Sequence, residues 1–339
     1  MDDIYTGFSD YEELNADERA TAARRDVEAW ENAREAYEEY RRMWHRADAE
    51  NLLPSQPLHV DIELSDACNL KCRMCAHGIG IATPVGFMEE ELVFRLIDEC
   101  VSIGVCSVKF NWRGEAALNP LLPAAVARAK QRGILEVQIN TNGLPKKKDI
   151  YLQCAEAGID RIIFSVDGFS APTYQAIRIG GDYQTLVANI QRLLEWKASR
   201  QRRKPLIRVQ MVRTRLNAHE VDDFLEYWRS RVDDVRISDV MDRGQGDSLT
   251  VGDQKTVGRR RCPQPFQRLV VARDGRVSPC CADWDQQYIV GDVHEQSLLE
   301  IWNSEPMARM RDIQNRVALD TVKICSRCYV KESYHWAKR

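Results

Sequence analysis

The chain has 339 residues, 44% of them hydrophobic, with a formal net charge of −3 and a pI near 6.1. That length supports one large domain with a smaller companion, and the near-neutral balance argues against nucleic acid as a partner. No apolar run approaches the roughly 18 residues of a membrane-spanning helix, and the opening MDDIYTGFSD carries no basic-then-apolar signal pattern, so the expectation is a cytoplasmic protein without membrane association.

Residues 16–46 read as one long helix, with Val27, Trp30, Ala33, Tyr37, Tyr40 and Trp44 recurring at three- and four-residue steps to make one apolar face. Asn15 and Glu18 stand at capping-box spacing. The opposite face, dense in Glu and Arg, reads as solvated. Pro54 and Pro57 end the pattern, which makes residues 1–55 an N-terminal helical extension. From Leu58 to Val240, strand-like segments at 58–65, 107–112, 136–141, 161–167, 206–214 and 234–240 alternate with amphipathic stretches at 88–103, 122–132, 183–200 and 218–231. Such alternation implies right-handed βα units on a parallel sheet. Six units are too few for a closed eight-fold barrel, so the expected fold class is α/β, an open partial (β/α)6 barrel over residues 56–240. Residues 241–260 are polar and Gly-rich and read as a crossing loop. Beyond them, Asp274-Gly275 between LVVAR and RVSPC is a hairpin signal.

Eleven cysteines are many for a compartment in which disulfides are disfavoured, and they point to metal or redox chemistry. Cys100, Cys106 and Cys154 stand alone in apolar or helical patterns and read as small buried hydrophobes. Cys68, Cys72 and Cys75 lie in LSDACNLKCRMCAHG. A short loop leaving a strand can wrap a four-iron cluster with three such thiolates, leaving one iron open to a chelating ligand. With His77 as a fourth ligand, the same group would instead suit structural zinc.

CNLKCRMC resembles the CxxxCxxC motif of the radical S-adenosylmethionine (SAM) superfamily, placed after the first strand as in that family. The resemblance implies that Cys68, Cys72 and Cys75 hold a catalytic [4Fe-4S] cluster whose open iron binds SAM. It further implies that SAM cleaves to methionine and a 5′-deoxyadenosyl radical, which abstracts hydrogen from an unactivated carbon. Met74 occupies the position near the adenine. RGEAALNP (113–120) resembles the GGEP-type motif, with Arg113 in place of the first Gly; Gly114 and Glu115 remain to meet the SAM amino group. INTNG (139–143) and FSVDG (164–168) resemble the third and fourth strand ends, which implies SAM contacts from Asn140, Asn142, Ser165 and Asp167. The likeness covers roughly residues 58–240.

Cys262, Cys280, Cys325 and Cys328 form a second set that by spacing suits either a zinc ribbon or a fully ligated four-iron cluster. CPQPF…DGRVSPCC, GDV, SLLEIWNSE and the closing CxxC resemble the SPASM/Twitch domains that follow some radical SAM cores. No cysteine follows Cys328, so the likeness is to the Twitch form, with one auxiliary [4Fe-4S] cluster over residues 241–339. It is shared with the aminoglycoside-pathway Twitch enzymes, 2-deoxy-scyllo-inosamine dehydrogenase and related sugar epimerases. Cys281 is then surplus to ligation. In related enzymes the position after this ligand lies close to substrate, so the resemblance makes Cys281 a hydrogen-atom donor; Asp283, which flanks it, is a candidate base.

Two outcomes follow hydrogen abstraction from a carbinol carbon. The thiol of Cys281 returns hydrogen to the opposite face, which epimerises the carbon, or the auxiliary cluster accepts an electron and a ketone forms. Cys281 tilts the reading to epimerisation. Radical modification of a peptide is a third reading; the absence of a strand pattern in residues 1–55 argues against the peptide-recognition domain such enzymes often carry. A non-catalytic zinc-binding module is the fourth. The expected partners are a small polar substrate, sugar or aminocyclitol, and an external one-electron donor such as flavodoxin or ferredoxin.

Overall fold

The structure is a computed structural model that describes residues 29–80, 86–240, 249–251, 261–326 and 328. The Asn15–Glu18 start of the expected N-terminal helix, and most of the 241–260 segment, lie outside them.

Six parallel strands appear in sequence order: β1 (His59–Ile62), β2 (Ser107–Lys109), β3 (Glu136–Thr141), β4 (Arg161–Ser165), β5 (Leu206–Arg213) and β6 (Asp234–Asp239). Each falls inside its expected segment. The second is shorter than expected because the chain leaves the sheet after Lys109 to build the site loop. Between the strands run α2 (Glu90–Ser102), α3 (Leu122–Gln131), α4 (Ile150–Glu156), α5 (Ala171–Ile177), α6 (Tyr183–Ser199) and α7 (Val221–Arg229). The two seven-residue helices α4 and α5 went unread in the sequence because two turns are too short to establish a period; Ser170, accepting from the Thr173 N–H, caps α5. The result is the expected α/β partial barrel.

The alternation of each strand sorts its residues between two environments. Val60, Ile62, Val108, Ile139, Phe164, Val209 and Ile237 pack with Leu96, Val126, Leu186 and Phe224 of the helices in one core. Each such side chain, fully buried, contributes about 1.5–3 kcal/mol of transfer free energy. The opposite face carries Asp61, Lys109, Gln138, Arg161, Arg208 and Arg236. The barrel interior is therefore polar.

The sheet continues past β6 in sequence. β7 (Arg268–Val271) pairs in parallel with β1, β8 (Arg276–Ser278) returns antiparallel to β7, and β9 (Gly291–Asp292) closes the row, giving the order β9-β8-β7-β1-β2-β3-β4-β5-β6. The expected hairpin at Asp274-Gly275 is present, with Val277 opposite Val271 and Gly275 at φ +90°, a conformation that suits glycine. A boundary after residue 240 thus divides the sequence but not the sheet. Helices α8 (Leu298–Trp302) and α9 (Glu305–Asn315) pack on this end.

Among the described residues the N-terminal helix, α1, runs Arg34–Ala49 after a single 3-10 turn at Glu31–Ala33, and so ends three residues later than expected. Its apolar face forms a second cluster: Tyr37, Tyr40 and Trp44, with Trp30 just ahead of the 3-10 turn, pack with Leu58 before β1 and Leu206 at the start of β5. Trp30 donates to the Leu135 carbonyl at 3.2 Å, just before β3. The helix therefore covers the amino ends of the strands. Its charged face is exposed, as expected, with ion pairs Arg34–Glu38 and Arg46–Glu50 one turn apart; solvent screens such pairs, so they add little to stability.

Trp44 is only 5% exposed. Trp44→Ala should lower the unfolding free energy by about 3–5 kcal/mol in urea titration. A loss below about 1 kcal/mol would show that α1 is not part of the cooperative core.

Candidate active site

The loop after β1 carries the first cysteine set. It is pinned on two sides. Cys72 pairs with Arg178 and Lys71 with Ile179 in a short antiparallel ladder, and the Arg73 N–H donates to the Ile177 carbonyl at 3.0 Å. Gly114 lies flat against the loop: a Cβ there would sit 2.3 Å from the Ser65 carbonyl oxygen and 2.6 Å from that of Ala67. That close approach lets the Glu115 N–H donate to the Ala67 carbonyl at 2.9 Å. Gly78 is held as closely, with Cys72 oxygen 1.9 Å from where its Cβ would stand.

The three thiols are charge neighbours. Burial pushes the Cys68 thiol up to about 12, with Glu115, Cys72 and Cys75 adding repulsion; burial likewise raises Cys72. Thiolates in such a place need a cationic core to be stable, which is what metal ligation provides. Two donors face them: Asn142 Nδ2 lies 3.9 Å from Cys68 Sγ, and Arg178 Nη1 lies 3.7 Å from Cys72 Sγ.

The expected SAM-contact residues gather at the strand ends around this loop, in two conditions. Met74 and Ser165 are half-buried, and Asn140 Oδ1 is buried with no hydrogen-bond partner. Glu115, Asn142 and Asp167 are buried and already engaged. Glu115, 3% exposed, accepts from Thr141 Oγ1 at 2.7 Å, from the Asn142 N–H at 2.6 Å and from the Ala117 N–H at 3.0 Å. Burial raises its carboxyl above the ordinary value against these hydrogen bonds. Neutral donors surround it, and a bound ammonium would complete its shell. Asp167 accepts from the Val212 N–H at 2.7 Å and from Arg178 Nε at 2.6 Å. It therefore holds Arg178 against the cysteine loop.

The second set converges at the other end of the sequence. Cys262, Cys280, Cys325 and Cys328 line one largely apolar pocket with Pro265, Met310 and Leu319. Buried Gln314 ties its halves together: its Oε1 accepts from the Cys262 N–H at 3.0 Å and its Nε2 donates to Cys325 Sγ at 3.5 Å. Burial and mutual repulsion raise Cys262 and Cys280 well above the ordinary thiol value. Among the described residues no three Cys, His, Asp or Glu side chains close on a single ion. Four thiols around one apolar pocket are a complete ligand set for a multi-iron cluster.

Cys281 does not line that pocket. It is exposed, its carbonyl is fixed by Trp112 Nε1 at 2.9 Å, and its thiol is within electrostatic reach of Lys109 in the barrel interior and of Cys262 and Cys280. Asp283 is placed differently. It is 0% exposed, and its oxygens accept from Ser278 Oγ at 3.0 Å and from the N–H groups of Gln287 and Tyr288 at 2.8 and 3.0 Å. This is the turn geometry of a carboxylate that closes its own loop. Cys100 and Cys154 are fully buried in the core, as expected of small hydrophobes.

The sequence reading missed three residues. Glu63, 0% exposed, accepts from Arg113 Nε at 2.8 Å, Arg113 Nη2 at 2.5 Å and the Arg273 N–H at 3.0 Å. Arg113, noted only as a departure from a glycine, is the partner of Glu63, and it reaches Gln286 at 3.0 Å. Arg178 carried no signal beyond its place before Gly180-Gly181.

Residues 62–197 match the Radical SAM superfamily and residues 262–329 match an iron–sulfur cluster-binding domain, SPASM. Among curated proteins, a GTP 3′,8-cyclase of Lactiplantibacillus plantarum is 30% identical over 206 residues, 59% of this chain and 58% of that protein. The chain thus spans under two thirds of that relative. A tungsten-containing aldehyde ferredoxin oxidoreductase cofactor-modifying protein of Pyrococcus furiosus is 23% identical over 325 residues, 83% of this chain and 89% of that protein. Among solved structures, SuiB of Streptococcus suis bound to S-adenosylmethionine has a TM-score of 0.65 at 15% identity, over 93% of this chain and 79% of that one. BtrN in complex with AdoMet and 2-DOIA has a TM-score of 0.54 at 17% identity, over 80% and 92%. At such identities the likeness is one of fold. Two domains of these kinds imply a catalytic [4Fe-4S] cluster, an auxiliary cluster and SAM as the cofactors, and both thiol sets fit them.

Gly114→Ala should force the Cys68 loop away from Glu115. Anaerobically reconstituted protein should then fall from about eight irons to about four, with the C-terminal set intact. Full iron content in this variant would show that the loop tolerates the displacement.

Proposed function

We propose that this chain, which belongs to the radical SAM superfamily, abstracts a hydrogen atom from a carbinol carbon of a carbohydrate or aminocyclitol-type natural-product intermediate and returns one through Cys281, epimerising that carbon. The observation that carries the reading is the position of Cys281: an exposed thiol between the polar barrel interior and the auxiliary thiol pocket. The half-buried lining of Gln138, Asn140, Ser165, Gln210 and Ser238 supports a polar, hydroxyl-bearing substrate.

In this reading Cys68, Cys72 and Cys75 ligate the first cluster and Cys262, Cys280, Cys325 and Cys328 the second. Together with SAM, the first cluster supplies hydrogen-atom abstraction from an unactivated carbon. Glu115 binds the SAM ammonium, Asn140 and Ser165 present hydrogen-bonding groups to SAM, and Asn142 and Asp167 hold Cys68 and Arg178 in place. Met74 packs near the adenine. Cys281 donates hydrogen to the substrate radical; one electron from a flavodoxin- or ferredoxin-type donor and one proton restore the thiol. We assign Asp283 to its turn rather than to proton transfer. The domains in this scheme are the extension at 1–55, the core at 56–240 and the cluster domain at 241–339.

The alternative, two-electron oxidation of the alcohol to a ketone, is favoured by the auxiliary pocket beside Cys281. A third reading, modification of a peptide, draws on the solved structure of SuiB bound to precursor peptide SuiA, at a TM-score of 0.65.

Two experiments test the scheme. Glu115→Gln should weaken SAM binding by roughly one to two decades, as expected for a buried charge-assisted hydrogen bond of about 1.5–3 kcal/mol. Burial raises the Glu115 carboxyl, so in the wild type protonation removes the negative charge at a higher pH than for an ordinary glutamate. SAM affinity should therefore decline as pH falls through that raised value, and the Gln variant should lack this step. A pH profile identical in both proteins would remove Glu115 from the SAM site.

For Cys281, holoenzyme is incubated in heavy water with a panel of sugars and aminocyclitols. An epimerase gives a product of substrate mass plus one solvent-derived deuterium, because the thiol proton exchanges before delivery. In Cys281→Ala the donor is gone, and a product two mass units lighter should accumulate. If the wild type already forms the lighter product and the variant changes nothing, the enzyme is a dehydrogenase.

A further inference from the structure

We propose that Lys109 anchors an anionic oxygen group, a carboxylate or a phosphate, on the substrate. This inference rests on the reading of the barrel interior as the substrate site and narrows the substrate class beyond it.

Lys109 projects from β2 between Asp61 on β1 and Gln138 on β3. Its inward-facing companions are Arg161, Arg208, Arg236 and Arg268 as cations, and Asp61, Glu136 and Asp234 as acids. Five cations thus face three acids among the described residues of these strands. His59 does not add to the cations, because burial favours its neutral form.

Each acid is already engaged. Asp61 pairs with Arg268 at 3.0 Å and lies 3.4 Å from His59. Asp234 pairs with Arg208 at 2.5 Å and Arg236 at 3.1 Å. Glu136 faces Arg161 at 3.5 Å. Nearby Glu63 belongs to Arg113. Lys109 makes no side-chain hydrogen bond or ion pair with the described residues, although Asp61 is its neighbour across the ladder.

A lone cation in such a place is costly. Burial disfavours the Lys109 ammonium by more than neighbouring Asp61 favours it, and Arg268 and Arg208 add repulsion. Buried charges are ordinarily paired. The paired arginines Arg208, Arg236 and Arg268 are all buried. Lys109, level with Asp61 and Gln138, is half-buried and so remains open to a ligand. It is within electrostatic reach of Cys281. An anionic group seated on Lys109 would relieve the excess positive charge and fix the substrate beside the thiol. A compact, rotatable ammonium suits either anion as a point charge.

The test uses reconstituted holoprotein with SAM, titrated calorimetrically in separate arms with inorganic phosphate and with acetate. Wild type should bind at least one of them saturably. Lys109→Gln should weaken that binding about tenfold or more, and Lys109→Arg should largely retain it. Which arm responds identifies phosphate or carboxylate. Binding of neither anion by wild type, or equal binding by the Gln variant, overturns the proposal.

A second measurement needs no variant. The responding anion should slow acylation of Lys109 in wild-type protein by an amine-reactive ester, followed by peptide mass spectrometry. An unchanged rate also overturns the proposal. Iron content and SAM cleavage to 5′-deoxyadenosine are measured alongside. If both are normal while anion binding ignores Lys109, this inference alone falls; if SAM is not cleaved, the underlying reading falls with it.

Discussion

The site depends on one buried carboxylate. Glu63 directly follows β1, just before the cysteine loop, and it binds the Arg113 guanidinium from the loop after β2 and the Arg273 N–H from the hairpin after β7. Arg273 also reaches Asp66 at 2.9 Å, and Arg113 reaches Gln286 at 3.0 Å. Three segments far apart in sequence are thereby held to one point. The parallel ladder of β7 on β1, from His59–Arg268 to Ile62–Val271, fixes the same relation through the backbone. The arrangement is not chosen for stability: the desolvation of a buried ion pair offsets most of its attraction, whereas removal of one partner leaves the other uncompensated. Its effect is specificity of placement, and placement is what two separate thiol sets and one intervening cysteine require.

This explains how much was legible in the sequence. The strands declared themselves because Val- and Ile-rich runs have a period of two whatever they pair with. The cysteine loop was legible because its ligands are close in sequence, and the Asp274-Gly275 hairpin because turn chemistry is local. Long-range pairing was not legible. Nothing in RLVV states that it will lie beside HVDI some 200 residues earlier, so the C-terminal part read as a separate unit. Glu63 was equally silent: its partners Arg113 and Arg273 are set by tertiary contact. Arg113 looked like damage to a glycine motif, and only the fold shows that its side chain has a dedicated acceptor.

The site residues fall into two groups. Asn140 and Ser165 were placed by the resemblance of INTNG and FSVDG to strand ends, and they lie on the inward face of their strands. Asp283 was placed by its nearness to Cys281 in sequence, and nearness is a poor guide inside a turn. Three hydrogen bonds draw its carboxylate inward, away from solvent. Cys281, its neighbour two residues before, has its carbonyl held by Trp112 and its thiol exposed. A turn can send adjacent side chains to opposite fates, and sequence pattern does not say which.

The polar interior also gives the N-terminal helix a purpose. A barrel whose inner face carries Asp61, Arg268, Arg161, Asp234 and Arg208 would flood from its amino end if left open, and water there would weaken every one of those pairs. The aromatic face of α1 closes it. Trp44 lies 5.3 Å from the Arg268 guanidinium and 6.1 Å from the His59 ring. Trp30 stacks on Tyr37 at 4.1 Å and lies 3.9 Å from Lys204 Nζ. Aromatic faces are suited to this position because they exclude water while remaining attractive to cations. The helix that resembled an appendage in the sequence is thus the floor of the barrel. The ion pairs it shelters from water keep their strength, and with it the geometry of the inner face around Lys109.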